Sequence, residues 1–167
     1  FLDGLFSILA SEDVKTDEIR SIECTLGETA ANLVFIPIPA KRRPGGTSAA
    51  RVAMPHILAE AIVYGEISAQ SFRDDRLNDP AVAELADKIG FQVTDRPHSN
   101  SLAIEFLNGR LITRATRLRV MNQSDIAGKF ARNVGTVLGS DRAERLLDRI
   151  LHLEENEDVS DVDRLTI

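Results

Sequence analysis

The residues of this 167-residue chain that could do chemistry are three histidines, one cysteine and an acid-free run carrying four cations. His56, His98 and His152 stand far apart, with no HExxH and no CxxC. Metal-ligand spacing is therefore missing, and no metal or other cofactor is expected. There is no GxSxG, and Cys24 falls on an expected strand with no histidine near it in sequence. It reads as a small buried hydrophobe and not as a nucleophile. The pair Gly135 and Gly139 ends a helix instead of following a strand, which is the wrong context for a phosphate loop.

The cations are more informative. No acidic residue occurs between Glu28 and Glu60, and that stretch holds Lys41, Arg42, Arg43 and Arg51. In a chain of net charge -6 this is a local positive field. Arginines beside a helix start suit a carboxylate or a phosphate. Arg51, Lys41, Arg42 and Arg43 are accordingly the candidate substrate-binding residues; the alternative is a solvated loop whose charge serves solubility. His56 follows Pro55 near Arg51. It is the candidate for a cleft-facing acid–base role, against a packed or surface histidine.

Composition bounds the rest. With 43% hydrophobic and 28% charged residues, the chain can build a core and is not a disordered one. The acidic balance argues against a nucleic-acid partner. Without Trp and with 5% aromatics, a base-stacking platform is not expected. No apolar run reaches the ~20 residues of a membrane span, and no secretory signal is visible. A single cysteine makes no internal disulfide and points to a cytoplasmic setting. A start at Phe1 suggests a processed chain or an excised fragment.

The elements that must position these residues follow from periodicity and punctuation. Residues 1–10 space their apolar side chains as a helix, and 19–25 read as a strand. Residues 28–36 fit helix or strand. Residues 37–47, with three prolines and two glycines, read as loop. A central buried helix is expected from Ser48 to Tyr64, closed by Gly65, with a start or a kink at Pro55. Asp79-Pro80 opens another helix, expected to reach Ile89, before a short strand over 91–94. Asn108-Gly109 is expected to form a two-residue hairpin turn, placing Phe106 opposite Leu111 and Ile104 opposite Thr113. Helices over 124–138 and from Ser140 close the pattern, and the tail over 154–163 reads as solvated. The expected fold is a single α+β domain over 1–167, a small antiparallel sheet with a β-hairpin packed against several helices.

Taken in order, several of these segments resemble the carboxy-terminal domain of the MmgE/PrpD family, the 2-methylcitrate dehydratase-like lyases and isomerases. They are Asp13 to Cys24 (DVKTDEIRSIEC), Thr47 to Ser68 (TSAARVAMPHILAEAIVYGEIS), Ser71 to Asp95 (SFRDDRLNDPAVAELADKIGFQVTD), the hairpin with LNGR, and Ser124 to Asn133 (SDIAGKFARN). The resemblance covers about residues 1 to 160. It implies an upstream all-helical domain, not contained in this sequence, and an active site in the cleft between the two parts. There a small di- or tricarboxylate would lose a proton next to a carboxylate without help from a metal. It implies a family lysine in a Lys-x-Tyr-Pro motif, also not contained here. Arg51 keeps the family's basic position, Val52-Ala53 stand where an aromatic-Ser pair is usual, and His56 stands where Tyr is usual. A different substrate or a degenerate site is compatible with those departures. The rival reading is a non-catalytic anion-binding or protein-interaction domain. Leu33, Phe35, Ile36 and Ile38, which flank the basic loop, are the expected surface for the helical domain or for a second copy in a homodimer.

Overall fold

The structure is a computed structural model that describes residues 1–96, 99–117, 120–155, 158 and 160–166; His98 lies outside the described residues. The chain divides into two compact units, Phe1–Arg119 and Val120–Ile167. The fold class is α+β, as read from the sequence.

The first unit opens with α1 (Leu2–Ser11) and β1 (Ile19–Leu26). Then come α2 (Glu28–Val34), α3 (Ile38–Arg42), α4 (Thr47–Ala50) and α5 (Met54–Tyr64). A 3₁₀ turn, Ala69–Phe72, leads to α6 (Asp74–Leu77) and α7 (Pro80–Asp87). The strands β2 (Ile89–Val93), β3 (Ser101–Phe106) and β4 (Leu111–Ala115) complete it. Sheet order is β2-β1-β3-β4. One face of the sheet is apolar: Ile22 and Cys24 pair with Ile104 and Leu102, and all four are buried with Ile19, Leu26, Phe106 and Ile89. Leu5 and Ile8 of α1, Leu58 and Ala61 of α5 and Val82 and Leu85 of α7 complete that core. Burying an aliphatic side chain of this size stabilises by about 1.5–3 kcal/mol.

Five sequence expectations are corrected. The sheet is mixed, because β1 and β2 run parallel; the helices between them form the long crossover that a parallel pair requires. The stretch 37–47 is not all loop. Pro37 caps α3 and Pro39 sits in its first turn, where the missing N–H costs nothing. The expected helix from Ser48 is two helices, α4 and α5, broken at Arg51–Ala53, with Pro55 in the first turn of α5. A proline disfavours helical geometry in the residue before it and donates no backbone bond. The helix opened by Asp79 stops at Asp87 and Ile89 begins β2. The hairpin loop has three residues, not two: the Phe106 N–H donates to the Arg110 carbonyl and the Gly109 N–H to that of Phe106. Ile104 therefore faces Ile112, and Leu111 faces Glu105. That one-residue shift turns Ile112 inward and leaves Leu111 63% exposed.

The caps do follow the expectation. Gly65 closes α5 at φ +73, and Asp79 caps α7 by accepting from the Ala81 N–H at 2.7 Å. Of residues 28–36, which fit helix or strand, Glu28–Val34 form the helix α2. The second unit is built from α8 (Gln123–Leu138), α9 (Ser140–Leu151) and α10 (Ser160–Thr166). Asn122 and Asp125 form a reciprocal capping box at the start of α8. No helix is long and apolar enough to cross a membrane, among the described residues.

Candidate functional site

The three consecutive cations of the basic segment are anchored to the protein itself. Lys41 Nζ donates to the carbonyl of Leu33 at 2.6 Å and to that of Val52 at 2.8 Å. It thereby ties the end of α2 to the break between α4 and α5. Arg42 Nη2 donates to the Ile89 carbonyl at 2.8 Å at the start of β2. Arg43 grips both oxygens of Asp87 at 2.9 and 2.7 Å, and this contact holds the Asp87 carboxyl below the usual carboxylate range. Together they fasten the short helix α3 onto α2, α7 and the sheet edge. A four-residue helix such as α4 aligns too little backbone to serve as an anion site at its N-terminus.

Arg51 differs from these three. It stands at the break between α4 and α5, exposed to solvent. Its guanidinium carbon lies 5.7 Å from the centre of the Phe72 ring. Among the described residues it has no carboxylate partner. Thr47 Oγ1 donates to the Phe72 carbonyl at 3.0 Å, so the start of α4 is tied to the same residue. Thr47, Phe72, Arg73, Asp74 and Asp75 line an open cavity of about 560 Å³. A guanidinium resting on an aromatic face keeps its edge donors free for a planar acceptor.

His56 lies inside α5, 2% exposed. Burial holds its imidazole below the usual histidine range, and Nε2 has no hydrogen-bond partner among the described residues. It is a neutral, enclosed ring and not an exposed acid–base group. Cys24 is fully buried as well, with its thiol pushed up to about 12 by burial. His152, at the end of α9, sits 3.4 Å from Asp148. No group of three or more His, Cys, Asp or Glu is arranged to hold a metal ion, among the described residues.

The sequence model of the MmgE/PrpD C-terminal domain matches residues 1–155. The chain belongs to the MmgE/PrpD family. A curated relative, cis-aconitate decarboxylase of Mus musculus, is 26% identical over an alignment of 134 residues. That alignment takes in 73% of this chain and 28% of the relative. The chain thus spans just over a quarter of the curated relative it matches.

Within this MmgE/PrpD domain, sequence reading missed a polar cluster that holds the residues flanking the cavity-lining segment 72–75. Glu60 of α5 is 1% exposed and accepts from Arg76 Nη1 at 2.9 Å. Burial raises its carboxyl, while Arg76 and the Ser71 hydroxyl pull it back toward the ionised form. The Arg76 guanidinium stacks 3.2 Å from the centre of the Tyr64 ring. The Tyr64 hydroxyl in turn donates to Asp79. The available signal was Glu60 itself, a lone acid inside the apolar run from Ile57 to Val63; a buried acid needs a partner. Phe35, expected on the partner surface, is fully buried and packs against Phe91 at 4.9 Å. Ile38 is half-buried, and Leu33 and Ile36 are exposed.

Proposed function

We propose that this chain is the carboxy-terminal half of a metal-independent lyase or isomerase acting on di- or tricarboxylates, with Arg51 as its contact to a substrate carboxylate. The observation that carries the reading is the division of labour among the cations: Lys41, Arg42 and Arg43 each donate to groups of the protein, and Arg51 is left facing solvent over Phe72, a residue of the cavity wall. The family membership and the similarity to a decarboxylase of a tricarboxylate support it.

In this reading Arg51 binds one carboxylate through two parallel hydrogen bonds, with Phe72 fixing the plane of the guanidinium. That contact orients the substrate so that a base can take the proton next to a carboxylate; elimination, decarboxylation or epimerisation then follows. In this reading the base and acid come from an upstream helical domain, because His56 is enclosed. Leu33 and Ile36 are where we place the contact with that domain. The reaction needs no cofactor, and the setting is cytoplasmic.

The test is turnover of 2-methylcitrate and cis-aconitate. The protein encoded by the whole gene should convert one of them, and the 167-residue chain alone should convert neither. Binding of citrate by the chain at millimolar concentration, with no turnover by the whole protein, would favour the rival reading of a non-catalytic anion-binding domain.

A further inference from the structure

Most of the wall of the cavity below Arg51's partner Phe72 is a short excursion of the chain between two points that meet at one buried carboxylate. Ser71 precedes the wall residues Phe72, Arg73, Asp74 and Asp75, and Arg76 follows them. Arg76 donates to Glu60 Oε1 at 2.9 Å, and the buried Ser71 hydroxyl lies against the same carboxylate. Glu60 projects from the middle of α5, which packs against the core through Leu58 and Ala61. The carboxylate is therefore fixed to a helix packed into the core of the first unit, and the wall is fixed to the carboxylate.

Other contacts close the arrangement. The Ser68 and Ser71 side chains form a reciprocal capping box at the 3₁₀ turn. Tyr64 covers one face of the Arg76 guanidinium, whose edge donates to Glu60. On the cavity side, Thr47 holds the Phe72 carbonyl and Arg51 lies over the Phe72 ring. A buried carboxylate that lost Arg76 would be an unpaired charge, and the penalty keeps the pair closed.

We propose that Glu60 is the positioning residue of this cavity: it sets where Phe72 stands, and through Phe72 it sets the orientation of Arg51. The ligand part of this inference rests on the reading of Arg51 as a carboxylate contact. The Glu60 side chain touches no substrate and acts only through the 71–76 segment.

Citrate is the probe, titrated into the 167-residue chain and followed by NMR at the Phe72 and Arg51 signals. Amide hydrogen exchange of residues 72–77 is measured alongside. Glu60→Ala should weaken citrate about tenfold, as a misplaced contact does, and should speed exchange at 72–77 but not in β1. Glu60→Gln, which keeps an acceptor of the same size, should fall between wild type and Glu60→Ala. Val82→Ala, a core change on α7, should lower stability without altering citrate affinity. If Glu60→Ala does not fold, Ser71→Ala and Arg76→Met take its place with the same expectation. Unchanged exchange at 72–77 with unchanged citrate affinity in these variants would overturn the proposal. Affinity that falls equally in Val82→Ala would also overturn it, by reducing Glu60 to a stability residue. Loosening of 72–77 in a chain whose wild type does not bind citrate would uphold the positioning of the wall and sink the carboxylate reading of Arg51.

Discussion

Arg51 lies over the ring of Phe72, with 5.7 Å between guanidinium carbon and ring centre. The two residues belong to segments more than twenty positions apart, and the Thr47–Phe72 hydrogen bond brings those segments together. The contact links Arg51, which has no carboxylate partner among the described residues, to the wall of the cavity. Phe72→Ala removes the surface that orients the guanidinium. At such an exposed site the stack is worth about 0.5–1 kcal/mol, so citrate should bind roughly two- to fivefold more weakly, as a titration of the folded variant would read.

Lys41→Met should behave in the opposite way. It deletes two charge-assisted bonds to the Leu33 and Val52 carbonyls. Stability should fall by about 1–3 kcal/mol, measured by urea unfolding, while citrate affinity stays within about twofold of wild type. A large affinity loss with stability intact would return Lys41 to the list of ligand contacts. Arg43→Ala, which breaks a half-exposed ion pair with Asp87, should cost no more than about 1 kcal/mol.

His56 gives the stability a pH dependence. Its folded value is held below the unfolded value of ~6.5, so the folded chain resists taking up the proton. The resulting cost is nil well above pH ~6.5 and grows as pH falls through it. Glu60, raised by burial, acts in the opposite sense and in a lower window, its cost appearing as pH rises through ~4.3. The His56 imidazole followed by NMR should titrate below pH ~6.5, and His56→Gln should flatten the stability slope between about pH 6.5 and 5. A midpoint at or above ~6.5 would mean the ring is solvated.

Gly109 closes the hairpin at φ +83, in the region L-residues avoid. Gly109→Ala meets no neighbour within 4 Å, so its cost is conformational, about 1–2 kcal/mol. Equal stability of the variant in urea would mean the loop relaxes to another turn.

Much of the fold was legible because the signals were local. Gly65 and Asp79 mark helix ends whatever packs around them, and the alternation Leu102, Ile104, Phe106 identifies β3. What was illegible depended on partners distant in sequence. The parallel pairing of β1 with β2 is set by where a long helical crossover returns. The loop length at Asn108-Gly109 is set by which face Ile112 must bury, since a two-residue turn would have placed it in solvent. The short helix α3 hid behind its prolines, which support a first turn as readily as they break an interior. At the site, charge alone drew attention to Lys41, Arg42, Arg43 and Arg51 together. Separating them required knowing that Leu33, Val52, Ile89 and Asp87 converge on the first three. Glu60 and Arg76, sixteen positions apart, carried no pattern that joined them.

The central claim is that Arg51, and not the neighbouring triplet, takes the substrate carboxylate. The most direct measurement is kcat/KM of the whole protein on its carboxylate substrate for Arg51→Lys beside Lys41→Met. Lysine keeps the charge but not the two parallel donors. Loss of that charged contact, about 1.5–3 kcal/mol, predicts a fall of roughly 10- to 100-fold for Arg51→Lys, with Lys41→Met within about twofold of wild type. Unchanged kinetics for Arg51→Lys and Arg51→Ala at low ionic strength, with the fold intact, would contradict it.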